Sequence, residues 1–211
     1  MLKRLLLAAV LLTPALAFAQ ATTPAAPKAA KEAAPAAKVE TAPAAAAPQV
    51  LLKTTMGDIT IELAADKAPK STANFLAYVN SGFYDGTVFH RVIDNFMVQG
   101  GGFTKELQQK PTRASIVNES KNGLGNVRGS VALARTADPN SATAQFFINV
   151  VDNPQLDYAS DAQPGYCVFG KVVAGLEVVD KIKAVATGPQ NQFRSDVPTT
   201  PIVIEKASVL P

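Results

Sequence analysis

From Val50 onward the chain is divided into short β-prone runs by glycine-containing turns, and this pattern restricts the possible folds more than any other feature. All 13 glycines lie beyond this point. The runs 50–55 and 58–63 flank Met56 and Gly57, which is typical of a β-hairpin. Apolar and polar residues alternate along the second run, as they do in a strand with one buried face.

Six more strand-like runs follow, and only two segments predict helices. The strand-like runs cover residues 87–93, 96–99, 129–135, 145–151, 166–172 and 202–210. One helix begins at Pro69 and ends before Gly82, and the other covers residues 176–183. Many short strands with two helices favour an antiparallel sandwich or barrel over alternating strands and helices. The consecutive glycines 100–102 predict a bend or a bulge.

The first 19 residues have the pattern of a cleaved signal peptide. Lys3 and Arg4 precede an apolar run, and Ala17 and Ala19 supply the small residues of a cleavage site. A membrane anchor is the alternative, but the apolar run is well short of the roughly 20 residues that span a bilayer. The sequence therefore predicts export of the mature chain.

Residues 20–49 form an Ala/Pro-rich segment with 14 alanines and 5 prolines. The prolines interrupt each alanine run that could start a helix, and no large apolar side chains are available for a core. We expect a disordered tether, with a docking segment for a cell-envelope partner as the alternative. The folded domain is predicted to cover residues 50–211.

The basic charge of the chain lies outside the predicted folded domain. The net charge of +3 divides into +2 in residues 1–19 and +1 in residues 20–49, because the remaining 15 Lys and Arg balance 15 Asp and Glu. This distribution does not favour a nucleic-acid partner.

The single cysteine and the single histidine exclude several kinds of site. Cys167 alone cannot form an intrachain disulfide framework or a multi-cysteine zinc site, and His90 alone cannot form a histidine-based metal cluster. We expect His90 to make structural hydrogen bonds. Cys167 is expected to be a small buried residue that faces away from Tyr166 and Val168. No metal is predicted.

Residues 89–99 combine polar and apolar side chains in an unusual way. Their sequence, Phe-His-Arg-Val-Ile-Asp-Asn-Phe-Met-Val-Gln, can place a guanidinium and an amide beside an apolar floor in a strand–turn–strand. Residues 145–147 repeat the combination of an amide with aromatic side chains. An ordinary β core with charged edges is the alternative that composition leaves open.

Residues 89–104 resemble the signature of the cyclophilin family, and three later segments extend the resemblance. These segments are Ala-Leu-Ala-Arg at 132–135, Ser-Ala-Thr-Ala-Gln-Phe-Phe-Ile at 141–148 and Phe-Gly-Lys-Val at 169–172. Residues 50–211 are similar to the secreted, periplasmic bacterial members. The resemblance implies a mainly β fold, namely a closed eight-stranded antiparallel barrel capped by two α-helices.

The resemblance also implies the residues of the site. Arg91 is the implied catalytic residue. The implied substrate-binding residues are Phe96, Met97, Gln99, Ala134, Gln145, Phe147, Leu156 and Tyr166. Gln99 is expected to bind the substrate backbone, and the aromatic and aliphatic side chains are expected to form a proline pocket. No cofactor is expected.

Three positions differ from frequent family residues. Gln155 stands where the family usually has Trp or Phe, which predicts weak cyclosporin binding. Arg135 replaces a frequent Asn and is expected to alter the preference for residues beside the proline. Tyr166 occupies a position where many eukaryotic members have His.

The implied function is peptidyl-prolyl cis-trans isomerisation that accelerates the folding of exported proteins in the periplasm. The expected partners are proline-containing unfolded or exported polypeptides. We expect a monomer, with no nucleic acid and no membrane span after leader cleavage. Two other functions stay open: a module that binds proline-containing segments without turnover, and an envelope adaptor that acts through residues 20–49.

Overall fold

The computed structural model describes residues 47–211. The predicted signal peptide and most of the predicted tether lie outside the described residues. The strands are β1 (Gln49–Thr54), β2 (Gly57–Leu63), β3 (Thr87–Ile93), β4 (Met97–Thr104), β5 (Ser130–Leu133), β6 (Phe146–Asn149), β7 (Val168–Ala174), β8 (Thr187–Gln190), β9 (Phe193–Pro198) and β10 (Val203–Val209). The helices are α1 (Pro69–Asn80), α2 (Leu176–Lys183) and the short 3₁₀ helix Pro154–Leu156.

Eight strands form a closed antiparallel barrel in the order β1, β10, β3, β4, β6, β5, β7, β2. The pair β1–β2 is the hairpin predicted around Met56 and Gly57, and Thr54 pairs with Gly57 at its turn. The choice between sandwich and barrel is thus decided in favour of the barrel.

Alternation along the strands fills the interior of the barrel. In β2, Ile59, Ile61 and Leu63 are buried, with exposed fractions of 0%, 0% and 1%. Thr60 and Glu62 between them are only partly covered. Because successive side chains of a strand point to opposite faces, the predicted period of two places the apolar set in the core.

Both helices bury one face against the barrel core. The ring of Phe75 in α1 lies between 5.0 and 5.5 Å from the rings of Tyr84, Phe146 and Phe169. In α2, Val178, Val179 and Ile182 are buried, so both predicted helices are confirmed. None of the helices in residues 47–211 is long and apolar enough to cross a membrane.

Strand β4 runs through the three consecutive glycines and is therefore longer than predicted. Gly101 has a φ of +79°, and a Cβ atom there would lie 2.8 Å from the rings of Tyr84 and Phe146. The pairing with β3 shifts register between Thr87 and Phe89, which pair with Thr104 and Gly100, so β4 has extra residues in this interval. The expected irregularity is confirmed, and it allows β4 to pass close to the aromatic core.

The hairpin of β8 and β9 was not predicted. The sequence of β8, Thr-Gly-Pro-Gln, contains two residues that are usually depleted in strands. Only Phe193 and Val197 of β9 pack inward, against a small cluster that includes Val88, Phe103 and Leu107. Two isolated apolar residues do not make a recognisable alternation, so the sequence carried no signal for this hairpin.

Candidate active site

Strands β4, β5, β6 and β7 carry a second apolar cluster on the face opposite the barrel core. Its buried members are Met97, Ala132, Phe147 and Val168. Their chain neighbours Val98, Val131, Phe146 and Phe169 point into the core. The same alternation that builds the interior therefore builds an apolar floor on the outer face of this wall.

A cleft of about 460 Å³ lies over this floor. All nine side chains that the sequence predicted for the site line it: Arg91, Phe96, Met97, Gln99, Ala134, Gln145, Phe147, Leu156 and Tyr166. Three strands (β3, β4 and β6) and the segments that connect β3 to β4, β5 to β6 and β6 to β7 contribute them, so residues far apart in the chain meet on one surface.

The apolar part of the cleft is preformed by packed rings. The ring of Tyr166 meets that of Phe147 edge-on, with centroids 5.6 Å apart and an angle of 80° between their planes. Met97 and Phe147 are 2% and 4% exposed. Leu156 reaches the same cluster from the 3₁₀ helix. This part of the cleft can accept a small apolar ring.

The polar part of the cleft is a chain of three side chains. Nη1 of Arg91 donates to Oε1 of Gln99 across a long 3.4 Å. Nε2 of Gln99 donates to Oε1 of Gln145 at 3.0 Å. Among residues 47–211, no ion pair neutralises Arg91, so the positive charge faces the cleft without a carboxylate partner.

Because Gly102 has no side chain, Gln145 can occupy the space beside it. A Cβ atom at this position would lie 2.5 Å from Cγ of Gln145. A larger residue would displace the amide that holds Gln99. The third glycine of the run therefore bears directly on the arrangement of the polar chain.

His90 also lines the cleft, which the sequence did not predict. The register shift in β3 lets His90 and its neighbour Arg91 reach the same side. Burial and, to a smaller extent, the charge of Arg91 lower the pKa of His90 to about 4, against hydrogen bonds with the Val88 backbone and Gln145 that favour the protonated form. Its Nδ1 has no hydrogen-bond partner within residues 47–211, and its ring lies 4.5 Å from that of Phe103. The expected hydrogen bonds of His90 therefore do not include one that Nδ1 makes within the described residues.

Arg135 was noted in the sequence as a departure but not as part of the site. Its guanidinium carbon lies 4.6 Å from the ring centroid of Tyr166. Nε donates to the carbonyl of Gly165 at 2.9 Å, and Nη1 donates to that of Thr136 at 2.9 Å. Arg135 thus packs against the Tyr166 ring, which also contacts Phe147. No local sequence pattern indicates this contact.

Phe103 and Phe193 complete the lining. Phe103 lies at the end of β4, in the segment whose motif was recognised, so its position in the motif was an available signal. Phe193 comes from the unpredicted hairpin and packs edge-on against Phe103, with centroids 5.1 Å apart. Phe193 lies at the cleft only because of tertiary contacts.

Gln155 lies outside the apolar cleft. Its Nε2 donates to Oδ1 of Asn153 at 3.1 Å. It lines a second cavity of about 620 Å³, which shares Arg135 and Tyr166 with the cleft. The side chain of Gln155 is thus directed towards polar neighbours.

Cys167 faces the barrel core, as predicted from the alternation around it. Burial raises the pKa of its thiol to about 11, and a hydrogen bond with Ser71 opposes this shift. Its neighbours Tyr166 and Val168 lie in the cluster of the cleft. The thiol is therefore separated from the cleft by the sheet.

Comparisons with known proteins give one family for this chain. Residues 49–209 match the family described as cyclophilin type peptidyl-prolyl cis-trans isomerase. The chain is 56% identical over 163 residues to peptidyl-prolyl cis-trans isomerase cyp18 of Streptomyces antibioticus, covering 76% of this chain and 98% of that protein. It is 52% identical over 162 residues to peptidyl-prolyl cis-trans isomerase B of Escherichia coli, with the same two coverages.

A solved structure is similar over the same region. It is a cyclophilin type peptidyl-prolyl cis-trans isomerase of Cryptosporidium parvum, crystallised in the presence of the dipeptide Ala-Pro. The TM-score is 0.63 at 28% sequence identity, covering 77% of this chain and 99% of the other.

Proposed function

Since the chain belongs to the cyclophilin-type peptidyl-prolyl cis-trans isomerase family, we propose that the cleft around Arg91 is where it rotates X-Pro peptide bonds. The activity is peptidyl-prolyl isomerisation, and the substrates are proline-containing polypeptides. The observation that carries the assignment of the site is the meeting of an unpaired guanidinium and an apolar pocket in one cleft.

The apolar part of the cleft seats the proline ring in this proposal. Met97, Phe147 and Leu156 belong to one apolar cluster, which suits the hydrocarbon of a pyrrolidine ring. The edge-on contact between Phe147 and Tyr166 keeps the wall in place. Holding the ring leaves the preceding carbonyl free to rotate.

Arg91 acts on the bond itself. Resonance gives the peptide bond a rotational barrier of about 18–20 kcal/mol. A hydrogen bond to the prolyl nitrogen localises its lone pair and weakens this resonance. Arginine suits this role because its guanidinium keeps its charge and does not give up its proton in a protein. The twisted state is then bound more tightly than either planar state, which is the condition for catalysis.

Gln99 and Gln145 hold the substrate backbone beside Arg91. Their mutual hydrogen bond at 3.0 Å fixes one amide by the other. Gln99 keeps further donor and acceptor capacity for a peptide group. Rotation breaks no covalent bond, so these side chains orient the substrate and no nucleophile is needed.

We further propose that the clients are exported polypeptides. The leader-like residues 1–19 support export, and uncatalysed X-Pro isomerisation takes roughly tens to hundreds of seconds. Newly exported chains that wait for this step stay unfolded longer. An isomerase delivered to the periplasm by its own signal peptide shortens that period.

Replacement of Arg91 tests the site. We expect Arg91→Ala to lower kcat/KM for a short Ala-Pro peptide on the order of 10²-fold, chiefly through kcat, because the lost interaction belongs to the twisted state. Arg91→Lys should restore only part of the rate, since an ammonium lacks the planar fork. NMR exchange spectroscopy measures the interconversion rates, with circular dichroism to confirm folding.

Arg128→Ala is the matched control. Arg128 is exposed outside the cleft and pairs with Asp180 at 2.7 Å, so this variant should isomerise the peptide as the wild type does. A folded Arg91→Ala protein with wild-type exchange rates would show that the assigned mechanism is wrong.

A further inference from the structure

Three buried asparagines lie behind the proline pocket and are not used by the mechanism above. Asn126, Asn149 and Asn153 are 1%, 0% and 3% exposed. Asn126 precedes β5, Asn149 ends β6, and Asn153 precedes the 3₁₀ helix. Buried amides are costly unless their hydrogen bonds are satisfied, so their partners indicate what they do.

Asn153 connects two residues of the pocket lining. Its Nδ2 donates to the backbone carbonyl of Phe96 at 2.8 Å. Its own backbone carbonyl accepts from the N–H of Leu156 at 2.9 Å. Phe96 and Leu156 both line the cleft but come from distant parts of the chain. One asparagine therefore links the β3–β4 turn to the 3₁₀ helix.

The hydrogen bonds continue from Asn153 through the other two amides. Nδ2 of Asn153 also donates to Oδ1 of Asn149 at 2.7 Å. Nδ2 of Asn149 donates to Oδ1 of Asn126 at 3.2 Å. Nδ2 of Asn126 donates to Oδ1 of Asp157 at 2.9 Å. Because Asp157 directly follows Leu156, this chain of amides returns to the 3₁₀ helix.

Asp157 orients the first amide of this chain. Its Oδ1 accepts from both the backbone N–H and Nδ2 of Asn126, at 2.6 and 2.9 Å, so Asn126 turns its Oδ1 towards Asn149. The same reasoning fixes Asn149 and then Asn153. Nδ2 of Asn153 is thereby kept in place to donate to the Phe96 carbonyl.

The β3–β4 turn has few other polar ties to the pocket. Asn95, at the tip, is exposed and has a φ of +58°. The Phe96 carbonyl accepts from one backbone group, the N–H of Val150 at 3.1 Å. The ring of Phe96 is packed by apolar contacts, which are not directional. The donor from Asn153 therefore supplies much of what fixes the position of Phe96.

We propose that Asn153 is a positioning residue for isomerisation, which holds Phe96 and Leu156 at the separation that a proline ring requires. The inference rests on the proposed location of the active site. Asn153 does not touch the substrate and acts through these two lining residues. Without the Asn153 amide, the same side chains line the pocket, but the pocket is no longer preformed. Part of the binding energy of the substrate must then be used to order the pocket.

Two variants separate hydrogen bonding from packing. Asn153→Asp keeps the size of the side chain but removes both Nδ2 donors, and Asn153→Ala removes the amide without adding charge. We expect each folded variant to raise KM for a short Ala-Pro peptide roughly tenfold, with a smaller change in kcat. The N–H of Val150 should also lose protection from hydrogen exchange.

Tyr78→Phe is the matched control for stability. The Tyr78 hydroxyl accepts from the N–H of Arg113 at 2.8 Å, and Tyr78 is buried away from the cleft. This variant should unfold at a lower urea concentration with an unchanged KM. Folded Asn153 variants that lower only the unfolding midpoint, as Tyr78→Phe does, would overturn the proposal.

The wild-type chain supplies a test that does not depend on folding of the variants. Saturation with the Ala-Pro peptide should shift the side-chain amide resonances of Asn153, whereas those of Asn74, which donates to the Thr143 carbonyl, should stay in place. If neither variant folds, unshifted Asn153 resonances in the saturated wild type overturn the proposal. A wild-type protein that does not isomerise the peptide would instead contradict the proposed function.

Discussion

At the scale of single residues, the imidazole of His90 lies against an aromatic cluster beside the guanidinium of Arg91. The ring of Phe193 is 5.6 Å away, in addition to that of Phe103. Such surroundings exclude water and favour the neutral form of the side chain. Isomerisation has no step that needs this proton, so the effect belongs to the stability of the fold.

The stability of the protein is therefore expected to fall between pH 6.5 and 4. In this range the unfolded chain protonates His90, whose ordinary pKa is 6.5, whereas the folded chain keeps it neutral until about pH 4. Because the unfolded state binds more protons, the free energy of unfolding decreases as the pH falls. The expected decrease from pH 6.5 to pH 4 is on the order of 3 kcal/mol. Urea unfolding at several pH values measures it.

His90→Phe is the control for this titration. The variant keeps an aromatic ring in the cluster but has no titrating group, so its unfolding free energy should depend less steeply on pH in the same range. An equally steep dependence would assign the loss of stability to other groups.

The sequence predicted the residues of the site better than their supports. Arg91, Gln99 and Phe147 lie in the motifs that carry the resemblance to the family, and the resemblance implied their place in the cleft. Arg135 and Asn153 act through contacts with loops distant in the chain, and no local pattern encodes such contacts. His90 and Arg91 face the same side because of a bulge in β3, and a regular alternation along the strand does not predict such a bulge.

At the scale of elements, helix α1 has an N-terminal cap from a distant loop. Oε1 of Glu119 accepts from the N–H of Lys70 at 3.1 Å, and Oε2 accepts from the N–H of Ser71 at 2.8 Å. The preceding residue, Ala68, provides no side-chain cap. A carboxylate at the N-terminus of a helix also interacts favourably with the helix dipole.

Removal of this cap should destabilise the barrel, because α1 covers one side of the core. We expect Glu119→Ala to lower the free energy of unfolding by about 1–2 kcal/mol and Glu119→Gln to lower it by less. Urea denaturation followed by circular dichroism measures both. Glu205→Ala, at an exposed position on β10, should stay within about 0.5 kcal/mol of the wild type. Equal effects of the two alanine variants would argue against the cap.

Elements with strong local signals were predicted, and those that depend on tertiary contacts were missed or mistaken in length. Both helices and all eight barrel strands follow from periodicity and turn residues. Strand β4 continues through glycines because β3 supplies hydrogen-bond partners, which propensity does not include. The hairpin of β8 and β9 packs its residues Phe193 and Val197 into a small cluster. The other members of this cluster are distant in the sequence, so the cluster exists only in the folded chain.

At the scale of the whole molecule, the leader makes a prediction about the mature chain. Protein recovered from the periplasmic fraction should begin near Gln20, since the small residues Ala17 and Ala19 precede that position. Intact-mass spectrometry measures the start. Recovery of protein that still carries residues 1–19 would contradict cleavage.

The closed barrel has a consequence for an isomerase whose substrates are proline-containing polypeptides. Unpaired backbone groups along the edge of a sheet can template the addition of a foreign strand, which is a route to aggregation. Each of the eight barrel strands has a hydrogen-bonded neighbour on both sides. A client therefore meets side chains in a cleft and not an open backbone ladder along the barrel. The barrel therefore gives a polypeptide that is prone to aggregate no strand edge on which to extend its own sheet.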